Sequence, residues 1–316
     1  MPFPNDEQIM KTAGDLIAQL KTLFGSHPGF RPAHAKGKIL VGTFTPSAEA
    51  SKLSRALHFN APSTKVWLRF SNSTGLPQIP DNVGDADPRG LAIRFHLPEV
   101  NGRRMHTDII AHSVPLFPVR TGAEFQELLR AIGASGPSTP DQPSPIEKFL
   151  GSHPAAMAFV TYPKPLPASY ATLQYYGVSA FKLVDANGRE TFIRYNIVPD
   201  AGIQTLDAGT VMGENYLQEE LSARLEKGPI IFKIVAQVAD SSDITDDATV
   251  QWPESREKVE LGTVKVDNII PDNPIEQKKV IFDPIPRVDG VEPSDDPLLE
   301  MRAAVYLMSG KDRRAA

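Results

Sequence analysis

Two Asn-Gly pairs constrain this chain most. Asn101-Gly102 stands between the runs 90–97 (GLAIRFHL) and 104–110 (RMHTDII), and Asn187-Gly188 stands inside FKLVDANGRETFIRYNIV. Asn-Gly readily adopts the left-handed backbone that a tight turn between antiparallel strands demands. Each pair therefore predicts a β-hairpin. Strands joined by hairpins, without crossover helices, argue against a doubly wound α/β sheet. Further strand-like runs lie at 38–45, 64–71, 229–239, 257–271 and 278–282. In the second of these, Val66, Leu68 and Phe70 alternate with Lys65, Trp67 and Arg69, which puts Arg69 on the face opposite Phe70.

Helical spacing appears over 5–24, with Asn5 as cap and Gly25 as stop, and over 122–133, 144–151 and 214–227. A closing helix starts near Ser294 or Asp295. Together these predict an α+β chain: an eight-stranded antiparallel β-barrel with additional helices. The predicted division is an N-terminal helix and lead-in over 1–30, then a barrel domain with its closing helix over 31–316. The 29 prolines and 22 glycines suit many strand ends and ordered loops better than a helical bundle.

Composition removes several function classes. The 33 basic and 38 acidic residues give a net charge of −5, which leaves no basic face for general nucleic-acid binding. There is no cysteine, so a thiolate metal site, a cysteine nucleophile or a thioether-linked haem has no residues to form it. The N-terminal MPFPNDEQIMKTAGDL lacks the basic start and apolar core of a signal peptide, and no run reaches the roughly 18 apolar residues of a membrane span. A cytoplasmic location is expected. No phosphate-binding glycine loop follows a strand, no serine-hydrolase elbow occurs, and the seven histidines show no metal-ligand pair spacing.

Two segments carry candidate chemistry. In Arg31-Pro32-Ala33-His34-Ala35-Lys36-Gly37 a histidine sits in a turn just before a buried strand, placed either to bond the backbone or to point into a barrel interior. In the closing helix Arg302 and Tyr306 are four residues apart and share a face, with Arg313 seven further on. A tyrosine here can simply stack on arginine. It can also be held as phenolate, which at pH 7 needs about 4 kcal/mol. A close guanidinium and a trivalent metal can supply that.

Four segments in order resemble the haem catalase superfamily across roughly residues 28–316: FRPAHAKGKILVGTF, then VWLRFSNSTG followed by DADPRGLAIRFH, then DIIAHSVPLFPVR, and finally DPLLEMRAAVYLMSGKDRR. The chain is short for a full catalase and is similar to the small catalase-related peroxidases. The resemblance implies noncovalent haem b. It implies His34 as the distal acid/base, Ser71 as the residue that orients it, Tyr306 as the iron ligand and Arg302 as the partner that keeps the phenolate ionised. Arg31, Arg69 and Arg313 match the arginines that pair with haem propionates, and Phe125 is a candidate for the aromatic stacked on the haem. Asp87 matches the acidic residue of the access channel or a structural turn.

Departures from the catalase pattern bear on activity. Ala33 replaces the Val before the distal His, and Ser73 replaces a channel Val. Aligned on Pro115, Ser113 takes the place of the distal Asn. Strand alternation then turns His112 away, unless a local bulge brings it to the pocket. A smaller distal donor and a wider pocket should spare peroxide cleavage and weaken the hold on a second peroxide.

The resemblance therefore implies a haem peroxidase that reduces hydrogen peroxide or organic hydroperoxides while oxidising an organic donor, with weak or no catalase activity. The alternatives are a fatty-acid hydroperoxide rearranging enzyme, like the allene oxide synthases, and a haem-binding protein without turnover. Ala33 does not support the first, which carries Thr there. The expected partners are a peroxide and a small organic reductant, with no NADPH, no nucleic acid, and a homodimer as the assembly.

Overall fold

The computed structural model describes residues 3–136, 142–207 and 209–316. Its strands are β1 (Gly37–Pro46), β2 (Thr64–Ser71), β3 (Gly90–Val100), β4 (Arg103–His112), β5 (Tyr175–Tyr176), β6 (Phe181–Val184), β7 (Glu190–Pro199), β8 (Ile230–Val238), β9 (Lys258–Ile269) and β10 (Val291–Pro293). They form one antiparallel sheet in the order β10-β6-β7-β5-β4-β3-β2-β1-β9-β8, and β7 also pairs with β8. That last pairing closes β1–β5 and β7–β9 into an eight-stranded barrel, with β6 and β10 as an extension. Closure leaves those eight strands without a free edge. Both Asn-Gly turns form, and Asn101 and Gly102 both take positive φ, 51° and 72°.

Alternation decides what fills the barrel. Leu40 and Phe44 of β1, Val66, Leu68 and Phe70 of β2, and Leu91, Ile93 and Phe95 of β3 are buried in one interior cluster. Ile39, Val41, Trp67, Ala92 and Ile110 face outward and pack instead with Ile270, Val280 and Phe282. The outer face of β1–β4 is thus covered as well, which is why Arg69 is only 4% exposed although it points away from the barrel interior.

The cover comes from helices. These are α1 (Glu7–Phe24), α2 (Ala50–Leu53), α3 (Leu57–Asn60), α4 (Gly122–Ala134), α5 (Pro145–Ser152), α6 (Pro154–Thr161), α7 (Tyr216–Lys227), α8 (Asn273–Lys279) and α9 (Pro297–Ala315). Leu16 and Leu20 of α1, Leu129 of α4, and Met301 and Ala304 of α9 form a second core outside the barrel. No described helix is long and apolar enough to cross a membrane.

Several expectations shift. The cap of α1 is Asp6, not Asn5: its Oδ1 accepts from Gln8 N at 2.8 Å and Ile9 N at 3.0 Å. The cap of α9 is Asp296, one residue beyond the expected pair, accepting from Leu298 N at 2.9 Å ahead of Pro297. The run 278–282 is not a strand: its first two residues end α8. That helix has Pro274 in its first turn and only seven residues, too few for a helical period to show. Asn273 anchors it to β1, donating to Ile39 O at 2.6 Å.

Candidate active site

The pairing register sets out one rim of the barrel. Gly37 pairs with Ser71, Ser71 with Gly90, Gly90 with His112 and His112 with Tyr176. Residues directly opposite one another in a sheet present the same face. Ser71 and His112 therefore share the outer face, two strands apart, with a glycine between them.

His34 stands over this row. Its Nδ1 lies 3.1 Å from Ser71 Oγ. Gly90 makes the room: a Cβ there would lie 2.6 Å from Ser71 Oγ and 2.8 Å from His34 Nδ1. The ring thus faces the helical cover, and the expectation that it points into the barrel interior is not met, because Phe70 and its neighbours fill that space. His34 holds φ at 55°, an uncommon value for a residue with a side chain. Its carbonyl accepts from Arg69 Nη2 at 2.9 Å, and Ala35 N donates to Thr74 O at 3.1 Å. These bonds fix the turn. Burial, followed by Arg69, Arg31 and Arg302, lowers the His34 pKa to about 4. The side chain still keeps part of its surface accessible.

Three of the expected arginines converge beside α8. Arg31 donates to Gln277 O at 3.1 Å and Val280 O at 3.0 Å. Arg69 Nε donates to Gln277 Oε1 at 3.0 Å. Arg313 donates to Val280 O at 2.7 Å and Ser309 Oγ at 3.0 Å. Among the described residues none of the three has a carboxylate partner. Their charges act on one another: burial first, then Arg69 and Arg313, lower the Arg31 pKa, and burial and Arg313 lower that of Arg69 to about 9. Buried cations without counter-ions cost several kcal/mol, and an anion supplied from outside offsets that cost.

Tyr306 belongs to the same neighbourhood. Its charge would raise the pKa of both Arg31 and Arg69. The Arg302 guanidinium lies 5.8 Å from the Tyr306 ring centroid, as the four-residue spacing on α9 predicts. Partly buried Ala33, Phe125 and Val305 add an apolar flank. Phe125 also packs at 5.5 Å between ring centroids on Phe117.

The other expected residues divide. Ser113 lies one residue past β4, where its Oγ accepts from Arg89 N at 2.9 Å. Asp87 is buried and pairs with Arg89 Nε at 3.1 Å. His112 ends β4 in regular register, with no bulge next to it. Burial, then Arg302 and His34, lower its pKa to about 3, so it lies within electrostatic reach of both. Sequence reasoning missed Gly37, Gly90, Gln277 and Val280. Gly37 lets Arg69 fold back: a Cβ there would sit 2.6 Å from Arg69 Nη2. The only signal for Gly90 was its place at the mouth of a strand; the backbone carbonyl of Val280 leaves none.

The catalase family model matches residues 28–316. A catalase-related peroxidase of Mycolicibacterium paratuberculosis is 36% identical, over 96% of this chain and 97% of its own. A catalase-related peroxidase of Synechococcus elongatus is 30% identical, over 96% of this chain and 88% of its own. Among solved structures, a fungal catalase superposes with a TM-score of 0.77 at 21% identity, over 95% of this chain and 63% of its own. Catalase A of Saccharomyces cerevisiae gives 0.76 at 22%. The chain thus spans less than two thirds of those catalases and almost all of the small peroxidases. It belongs to the catalase family, as an oxidoreductase of the catalase-related peroxidase kind.

Proposed function

We propose that the chain binds haem b noncovalently where the outer barrel face meets α9, and that the protein uses it to reduce hydrogen peroxide or organic hydroperoxides at the expense of an organic donor. The observation that carries this is the trio Arg31, Arg69 and Arg313: Arg69 and Arg313 buried and Arg31 half-buried, close enough to repel, and without carboxylates among the described residues. Two propionates match that demand in charge and chemistry. Tyr306 offers the phenolate oxygen for the iron, with the Arg302 guanidinium beside it. Ala33, Phe125 and Val305 suit the faces of a porphyrin.

Bound haem would supply the iron at which the peroxide O–O bond breaks. The chain supplies the proton handling. With Nδ1–H given to Ser71 Oγ, His34 Nε2 keeps its lone pair. Its low pKa leaves it neutral at pH 7. Nε2 takes the peroxide proton and returns it to the departing oxygen. Overall, ROOH and a donor AH2 yield ROH, water and A. The Ser71 bond and the close approach of Gly90 hold the imidazole, and Arg69 holds its backbone, so the two proton transfers occur at one fixed atom.

The preference for organic donors over a second peroxide rests on the wider pocket left by Ala33 and on the loss of the distal Asn. The test is oxygen release from hydrogen peroxide against oxidation of a phenolic or amine dye by the haem-loaded protein. Dye oxidation with little oxygen is the expected result. Oxygen release at the rate of a full catalase, without dye oxidation, overturns the reading.

A further inference from the structure

His112 is a half-buried histidine that the proton handling above does not use. Its Nδ1 accepts from Val114 N at 3.3 Å. In the neutral ring this places the proton on Nε2. That Nε2 is buried and has no hydrogen-bond partner among the described residues. Burying an N–H donor without a partner costs about 1–3 kcal/mol, so each such group calls for an explanation.

The register gives one. His112 shares the outer face with Ser71, and Gly90 between them projects no side chain. The His34 ring occupies that lane, against Gly90. His34 and Arg302 both act on His112 electrostatically, whereas Ser113 Oγ lies against the Arg89 backbone, accepting from its N–H at 2.9 Å. Phe117 and Phe159, with ring centroids 6.3 and 6.4 Å away, flank the ring without offering it an acceptor.

Resting on the haem reading, we infer that His112 Nε2–H, rather than Ser113 Oγ–H, is the second hydrogen-bond donor to the peroxide on the His34 side of the cofactor. The two imidazoles then present opposite faces of the same chemistry. His34 Nε2 accepts a proton, and His112 Nε2–H donates a bond to the oxygen that has lost it. Two fixed groups of opposite polarity orient an unsymmetrical ligand better than one.

Cyanide binding to the ferric haem protein separates the two roles without turnover. Hydrogen cyanide must lose a proton to bind, so the association rate reports the base. The bound anion is held by donors, so the dissociation rate reports the donor. His112→Leu is expected to raise the dissociation rate about tenfold, the equivalent of one net hydrogen bond, and to leave association within about twofold. His112→Gln, which keeps an N–H donor, is expected to restore most of the loss. His34→Leu is expected to slow association instead.

An unchanged dissociation rate in His112→Leu overturns the inference. So does an equal loss in His112→Gln and His112→Leu, which marks a packing role, or a loss confined to Ser113→Ala. If the unmodified protein takes up no haem, the haem reading fails at its first step and this inference falls with it; failure in the variants alone leaves that reading standing.

Discussion

His34 Nδ1 and Ser71 Oγ, 37 residues apart in the chain, lie 3.1 Å from each other, with the Cα of Gly90 closing the side where a side chain would part them. Gly90→Ala therefore puts a methyl group into the hydrogen bond itself. The expected outcome is haem content like that of the parent and a peroxide reaction slowed by about 10- to 100-fold, since a displacement near 1 Å at a reacting group costs on that order. Stopped-flow mixing with hydrogen peroxide measures it.

The lowered pKa of His34 sets the pH profile. Burial and the cations Arg69, Arg31 and Arg302 hold it at about 4, so the base form persists down to that pH. The rate of reaction with peroxide should be flat from pH 8 to about pH 5 and fall only as pH approaches 4. A free imidazole would lose half its base form near pH 6.5. A rate measurement across this range distinguishes the two.

The strand runs other than 278–282, both Asn-Gly hairpins and the Arg302–Tyr306 spacing were legible from local pattern, because alternation and helical period are local properties. The site was legible only in part. His34 and Ser71 were assigned together through the family resemblance, since nothing local links a turn to the end of a distant strand. The face of His112 depends on the register across β2, β3 and β4, and alternation alone places neighbours on opposite faces without saying which face is which. The meeting of Arg31 and Arg313 on one backbone carbonyl at Val280 depends on where α8 docks, and the last two residues of α8 were read as extended chain.

Haem affinity tests the arginine trio. Dimethyl-ester haem has the same porphyrin faces and iron but no propionate charge. Its dissociation constant should exceed that of haem b by more than about tenfold, given about 1.5–3 kcal/mol for a hydrogen bond to a charged group. In Arg31→Leu the difference between the two haems should shrink. Equal affinity for both in the unmodified protein would assign the trio another purpose.

His58 gives a stability prediction away from the site. It is 2% exposed, its ring centroid lies 4.7 Å from that of Phe95, and burial lowers its pKa to about 3. The unfolded chain takes up this proton below about pH 6.5 and the folded chain does not. The stability is thus fully present above pH 6.5 and is lost as pH falls toward 3, by about 1.4 kcal/mol per pH unit well below 6.5. His58→Phe should flatten this part of the acid limb. Denaturant midpoints of both proteins at pH 5 and pH 8 measure the change.

The central claim is that Tyr306 is the iron ligand. Resonance Raman spectroscopy of the ferric haem protein tests it most directly, beside Tyr306→Phe loaded in the same way. The account predicts iron-bound phenolate bands in the unmodified protein and their loss in the variant, with haem retained weakly or not at all. The same spectrum in both proteins would contradict it.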